Sequence, residues 1–284
     1  MPQPLLHLGG DGPLLHLAVA NGFPPATYLP LLRPLFEAYR VICLPPRALW
    51  PDEQPPAELR EWDSLADDLL AGMQQHALDP VIAVGHSFGG IASVLAAMRE
   101  PARFRALCLL DPTFLLPEWL AGLEQLRSSG SVMQDFPLAQ MALRRRRTFE
   151  SAEAAFSNFR GKTAFRNWPD ETLRLYAEHG TRPAANGQGV ELAWSAEWEA
   201  YYYCTPYARL WSVLPQLSPT IPLLIVRGAT SDTLLPQAVE MLRGVLPHMH
   251  TVEIDGHGHL FPQSAPKETA SIIQAWLRDV FPES

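Results

Sequence analysis

The chain has 284 residues, of which 47% are apolar and 18% charged, with a formal net charge of −8. That balance describes an ordinary globular protein with apolar residues for a sizeable core, and it gives no sign of a nucleic-acid-binding surface. Its three cysteines, Cys43, Cys108 and Cys204, are widely spaced and odd in number, so no zinc site or disulfide framework can be drawn from them; Cys43 and Cys108, in apolar strand-like runs, are expected as small core residues.

The first residues, Met1-Pro2-Gln3-Pro4-Leu5, lack the basic and apolar segments of a secretory leader. No apolar run reaches the roughly 20 residues a membrane helix needs, so a cytoplasmic protein is expected. Strand-length apolar runs then alternate with helix-length segments. Leu14 to Ala20 reads as a strand, Tyr28 to Tyr39 as a helix, and Arg40 to Leu44 as a short buried strand. The proline-rich stretch Pro45 to Pro56 reads as a loop, and Glu58 to His76 as a helix through Leu59, Trp62, Leu65, Leu69 and Met73. Val81 to Val84 has the wholly apolar character of a parallel strand buried on both faces. A helix from about Phe88 to Arg99 follows, then the strand Ala106 to Leu110.

From Thr113 to Pro219 no strand is evident. Helical patches at Trp119 to Leu126 and Asp170 to Glu178 alternate with loops. The regular pattern resumes with the strand Pro222 to Val226, a helix at Gln237 to Leu246, the strand Thr251 to Ile254 and a helix at Lys267 to Val280. The expected fold class is therefore α/β, a mostly parallel sheet flanked by helices. Its core comes in two parts, 1–112 and 220–284, with a helical insertion at 113–219.

Gly85-His86-Ser87-Phe88-Gly89 lies where a strand turns into a helix. Small flanking residues permit the sharp turn, which lifts the serine oxygen above the sheet edge at a helix N-terminus. Ser87 is the expected nucleophile. A serine hydroxyl needs a base, and the base needs an orienting acid. Asp232, just past the strand Pro222 to Val226, is the expected acid, with Asp111 as its rival at another strand end. His259 in Asp255-Gly256-His257-Gly258-His259 is the expected base, while His257 lines the site or faces solvent. His86 is expected to pack or bond locally, with its side chain away from the reaction centre. Backbone N–H groups of Phe88 and Phe23 are the expected oxyanion donors, the latter from the turn Asn21-Gly22-Phe23-Pro24.

These motifs, in this order, resemble the α/β-hydrolase fold superfamily over nearly the whole chain outside the insertion. The resemblance implies Ser87, Asp232 and His259 as a triad, Phe23 and Phe88 as the oxyanion hole, and 113–219 as a helical cap. Two positions depart from it: Asn21 stands where many relatives carry histidine, and Pro45 to Trp50 replaces a frequent Asp-x-Arg-Gly-x-Gly loop. A serine at position 87 also sets the chain apart from the dehalogenases and epoxide hydrolases of this fold, which carry a carboxylate there.

The expected function is a carboxylesterase-like hydrolase acting on a small or medium apolar ester through an acyl-enzyme, with no metal and no cofactor. Thioesters and carbon–carbon bonds are alternative targets, and a slow ligand-binding protein is the alternative from another class. The expected partner is a small-molecule ester or thioester, with neither nucleic acid nor membrane, and the chain is expected as a monomer or homodimer. Asn21, Gly22, His86, Trp194, Trp198 and Tyr202 are candidates for the pocket, although aromatics at helical spacing ordinarily pack a core. Arg144 to Arg147, with Arg160, Lys162 and Arg166, offer an anion patch or, more simply, a solvated helix face.

Overall fold

The computed structural model describes residues 3–282; Met1, Pro2, Glu283 and Ser284 lie outside it, including the start of the segment judged to carry no leader. Ten strands form two sheets among the described residues. They are β1 (Leu6–Gly9), β2 (Leu14–Ala18), β3 (Arg40–Cys43), β4 (Val81–His86), β5 (Phe104–Leu110), β6 (Thr148–Phe149), β7 (Thr181–Pro183), β8 (Val190–Leu192), β9 (Leu223–Gly228) and β10 (His250–Ile254). The main sheet runs β1-β3-β2-β4-β5-β9-β10, and every neighbouring pair is parallel except β1 with β3.

The centre of this sheet is β4, β5 and β9. All residues of β4 and β9 are buried, as are all of β5 except the half-buried Arg105. That burial explains the uninterrupted apolar runs, since helices cover both faces. The helix Asp63–Gln75 turns Leu65, Ala66, Leu69, Leu70 and Met73 inward, and Phe88–Arg99 is buried along nearly its whole length. The three cysteines are buried and free.

Three sequence expectations change in the structure. The helix expected over 28–39 is a series of short turns, Pro25–Tyr28, Leu29–Leu32 and Arg33–Leu35, because Pro30 and Pro34 each remove an N–H donor. The helix expected from Glu58 starts only at Asp63. Backbone groups just before it are held instead by the helix Ala196–Cys204 and its C-cap residue: Arg60 N–H donates to Tyr201 Oη (2.8 Å) and Trp62 N–H to the Thr205 carbonyl (2.9 Å). The insertion is also not strand-free, since β6, β8 and β7 form a small antiparallel sheet within it. With two or three residues each, these strands are too short to display an alternating pattern.

Around that sheet the insertion builds its own aromatic cluster from Phe149, Phe159, Phe165, Trp168 and Tyr176, against which Phe23 of the main domain packs. The helix Ala196–Cys204 contributes Trp198, Tyr201 and Tyr202 to the main core instead.

Two buried histidines make the fold sensitive to acid. His16 on β2 accepts the Leu44 N–H at Nε2 (3.2 Å), and burial lowers its pKa to about 4. Burial, with His259 nearby, lowers that of His86 to about 3. Both rings stay neutral in the fold while the unfolded chain takes up protons below about pH 6.5. Stability is therefore full above that pH and falls as pH drops towards the folded values, by about 1.4 kcal/mol per pH unit for each histidine. His16→Gln keeps an acceptor for Leu44 and should remove about half of this slope, measured as denaturant stability between pH 7 and 5. An unchanged slope would show that His16 does not carry it.

Candidate active site

Ser87 sits between β4 and the helix Phe88–Arg99 with φ 57° and ψ −126°, a strained backbone conformation for a residue with a side chain. The turn depends on close backbone approach. A Cβ at Gly85 would lie 2.6 Å from the Gly90 Cα, and one at Gly89 would lie 2.5 Å from the carbonyl oxygens of Ala18 and Val19. Gly85 lets the turn close onto Gly90, and Gly89 lets the helix Phe88–Arg99 press against the end of β2, where the turn at 21–24 begins.

His259 follows β10 and reaches back over this turn. Its Nε2 is 3.0 Å from Ser87 Oγ, and its Nδ1 is 2.7 Å from Asp111 Oδ2. The carboxylate that meets the imidazole is thus Asp111, at the end of β5, and not Asp232. Asp232 is exposed and takes a long hydrogen bond from the Thr233 hydroxyl (3.4 Å). The reason is local: the chain after β9 turns so that Ser231, one residue earlier, faces inward.

Ser231 Oγ donates to Asp111 Oδ2 (2.5 Å) while accepting the N–H groups of Thr233 and Leu234, and Gly228 N–H donates to Asp111 Oδ1 (3.0 Å). Burial alone would raise the Asp111 carboxyl, but His259, Ser231 and Gly228 more than offset it and hold it below the usual range. Asp111 itself has φ 42°, an uncommon value for a non-glycine residue. Its backbone is fixed by bonds across three strand ends, with Ser87 N–H on Leu110 O (3.0 Å) and Asp111 N–H on Val226 O (2.7 Å).

His86 lies beside the constellation and is fully buried. His259 O can only accept, so His86 Nε2 donates to it (3.0 Å) and Nδ1 accepts from Tyr28 Oη (2.7 Å). Tyr28 Oη in turn accepts the Ala20 N–H (3.0 Å). The chain of donors links the end of β2, the nucleophile turn and the backbone of His259. His257 lies to one side, with Nδ1 2.8 Å from Ser264 Oγ.

The two expected oxyanion donors differ. Phe88 is the first residue of its helix, so its N–H has no partner within the helix. Phe23 N–H closes the turn onto Ala20 O with a long bond of 3.2 Å, helped by Gly22 at φ 84°. It serves an oxyanion only by sharing or opening that bond.

The pocket candidates divide in the same way. Asn21 Nδ2 donates to the Glu199 carbonyl (2.9 Å), and Gly22 faces the Arg145–Glu199 ion pair. Trp194 and Tyr202 meet the Phe88 ring at 6.3 and 5.1 Å between centroids. Trp198 lies behind Tyr202, stacked at 5.2 Å, and donates Nε1–H to the Glu53 carbonyl, so it packs the insertion onto the proline-rich loop. His86 donates to the His259 carbonyl from within the core.

The arginine run does not form one patch. Arg145 pairs with Glu199 and Tyr176, Arg147 with Glu197, and Arg160 with Asp170, while Arg146 lies over the Phe149 ring.

Three side chains that touch this constellation escaped sequence reasoning. Thr113 Oγ1 is 2.9 Å from Ser87 Oγ, Ser231 bonds Asp111, and Tyr28 bonds His86. Thr113 follows Asp111-Pro112 directly, so its place near the strand end was the signal available. Tyr28 had none, being read as one residue of a helix.

A family model described as "Alpha/beta hydrolase family" matches residues 10–272. A curated relative from Mesorhizobium japonicum, 2-(acetamidomethylene)succinate hydrolase, is 27% identical over 272 residues, spanning 94% of this chain and 89% of its own. An abhydrolase domain-containing protein of Alternaria alternata, ACTT2, is 27% identical over 236 residues, covering 70% of this chain and 83% of its own. Among solved structures, E-2-(acetamidomethylene)succinate hydrolase superposes with a TM-score of 0.74 at 24% identity, covering 95% of this chain and 92% of the other. The thioesterase domain from the curacin biosynthetic pathway gives 0.73 at 18% identity, covering 95% and 94%.

Proposed function

The chain belongs to the alpha/beta hydrolase family, and within that family we propose that it is a serine hydrolase that cleaves carboxylic esters through an acyl-enzyme on Ser87. The observation that carries this reading is the unbroken line Ser87 Oγ, His259 Nε2, His259 Nδ1, Asp111 Oδ2, with spacings of 3.0 and 2.7 Å at its two ends. Each spacing lies within hydrogen-bond reach, and the acid, held ionised, can only accept, so a neutral imidazole carries its proton at Nδ1 and presents a bare Nε2 to the serine.

As Ser87 Oγ attacks the carbonyl carbon, its proton passes to His259 Nε2 and Asp111 stabilises the imidazolium. The tetrahedral oxyanion accepts the Phe88 N–H and, once its turn bond is shared, the Phe23 N–H. His259 then protonates the leaving oxygen, leaving Ser87 acylated. Water, activated by the same imidazole, releases the acid product.

The segment 113–219 acts as a cap between the core parts 1–112 and 220–284, since its aromatic cluster meets Phe23 and its Trp194 and Tyr202 meet Phe88. Those rings favour an apolar acyl group. The name of the curated relative carries a succinate, but Arg145, the cation against the oxyanion turn here, is already neutralised by Glu199. An uncharged ester therefore suits this site better than a dicarboxylate.

A fluorophosphonate probe tests the reading. One equivalent should attach, and peptide mapping should find it on Ser87. A protein that takes up no probe, or takes it elsewhere, would overturn the assignment.

A further inference from the structure

Thr113 is the second side chain in contact with the nucleophile oxygen, and the proposed triad chemistry leaves it unused. Its Oγ1 lies 2.9 Å from Ser87 Oγ, and its backbone N–H lies 3.4 Å from the Ser87 carbonyl. The direction of the side-chain bond follows from counting protons. Asp111 is ionised and can only accept, so in the neutral imidazole that attack requires the one proton of His259 sits at Nδ1 and Nε2 is bare. Ser87 has one proton, which Nε2 requires. The hydrogen between Ser87 and Thr113 is therefore the one Thr113 owns, and Thr113 donates.

We propose that Thr113 is a catalytic residue whose hydroxyl donates a standing hydrogen bond to Ser87 Oγ and stabilises the negative charge that gathers there when the Ser87–acyl bond forms and breaks. This rests on the acyl-enzyme reading above.

The bond count permits it throughout the cycle. In the resting site Ser87 Oγ is bonded to Cβ and hydrogen and keeps two lone pairs, one facing Thr113. When the proton moves to His259, the electron pair it leaves forms the bond to the acyl carbon, and the lone pair facing Thr113 is untouched. In deacylation, water gives a proton to His259 Nε2 and its oxygen bonds the acyl carbon. The carbon–Oγ bond then breaks, its electron pair returns to Oγ, and His259 returns the proton. Thr113 neither gains nor loses a proton in either step.

The bond is strongest where Oγ is most like an alkoxide and weakest on the acyl-enzyme, because an ester oxygen is a poor acceptor. A donor of this kind lowers the barriers around the acyl-enzyme without stabilising the acyl-enzyme itself. It also eases departure of Oγ as the leaving group in deacylation.

Thr113→Val keeps the shape and the backbone contact to Ser87 and removes only the hydroxyl, while Thr113→Ser keeps the hydroxyl. Stopped-flow hydrolysis of a p-nitrophenyl ester separates the acylation burst from the steady deacylation rate. The second-order rate of fluorophosphonate labelling reports attack by Ser87 without any turnover. For Thr113→Val we expect losses of about 10- to 100-fold in labelling and in deacylation, the range for a hydrogen bond to a charged group, with most of the rate regained in Thr113→Ser.

Wild-type labelling at Ser87 with equal rates in Thr113→Val would overturn the role of Thr113 and leave the triad standing. Equal losses in the valine and serine variants would assign Thr113 to packing and overturn it as well. A wild-type protein that is not labelled at Ser87 would remove the triad reading and this inference with it.

Discussion

Ser87→Ala should lower p-nitrophenyl ester turnover by about 10⁵- to 10⁶-fold, measured as kcat/KM at neutral pH. The large figure follows from the way the groups act together. Without Oγ there is nothing for His259 to deprotonate, and neither Asp111 nor the oxyanion amides have a covalent step to assist. A small excess over the uncatalysed reaction should persist, because the Phe88 N–H could still polarise an ester attacked by water. The change is also mild for the fold, since it removes one oxygen and leaves the turn residues Gly85 and Gly89 in place. Equal turnover in Ser87→Ala and wild type would place the esterase chemistry elsewhere in the molecule.

Asp111→Asn should cost about 10⁴-fold, whereas Asp232→Asn should stay within about twofold of wild type. The asymmetry has a definite structural origin. Gly228 N–H bonds Asp111 Oδ1, whereas His259 and Ser231 share Oδ2. In the asparagine variant the carbonyl oxygen stays with Gly228, and the amide NH₂ faces His259 Nδ1. Two donors cannot face one another, so the imidazole adopts the tautomer protonated at Nε2 and can no longer accept the Ser87 proton. Asp232, exposed and bonded to Thr233, has no such link. A large loss in Asp232→Asn with a small one in Asp111→Asn would reverse the assignment.

The turn at Ser87 and the place of His259 beside it were legible because local pattern fixes them. A strand, a glycine-flanked serine and a helix form one short unit, and Gly258-His259 follows the last strand. The carboxylate that meets His259 was harder to place because it depends on strand neighbours that a linear sequence does not display. Asp111 and Asp232 both stand past the ends of parallel strands, and only the pairing β4-β5-β9 and the inward turn of Ser231 distinguish them. The link from Tyr28 to His86 was equally hidden, since it joins residues far apart in sequence through the interior. In the insertion, short strands and burial by ring stacking leave little periodicity to read. Trp194, Trp198 and Tyr202 share one stretch of sequence but play different parts: Trp194 and Tyr202 meet Phe88, while Trp198 braces Tyr202 from behind.

The position of Asp111 affects how the site assembles. Ser87 and Asp111 belong to a single β-α-β segment, but Asp111 is held by Val226, Gly228 and Ser231 at and just past the end of β9, beyond the insertion. His259 comes from still further along the polypeptide, after β10. The exposed turn between β7 and β8, residues 185–189, thus lies between two portions of the chain, neither of which holds Ser87, Asp111 and His259 together. Synthesised from its N-terminus, the polypeptide can bring Ser87, Asp111 and His259 together only once β9, β10 and the segment after them are in place. A reaction that needs all three residues would therefore report a finished molecule and not an emerging one.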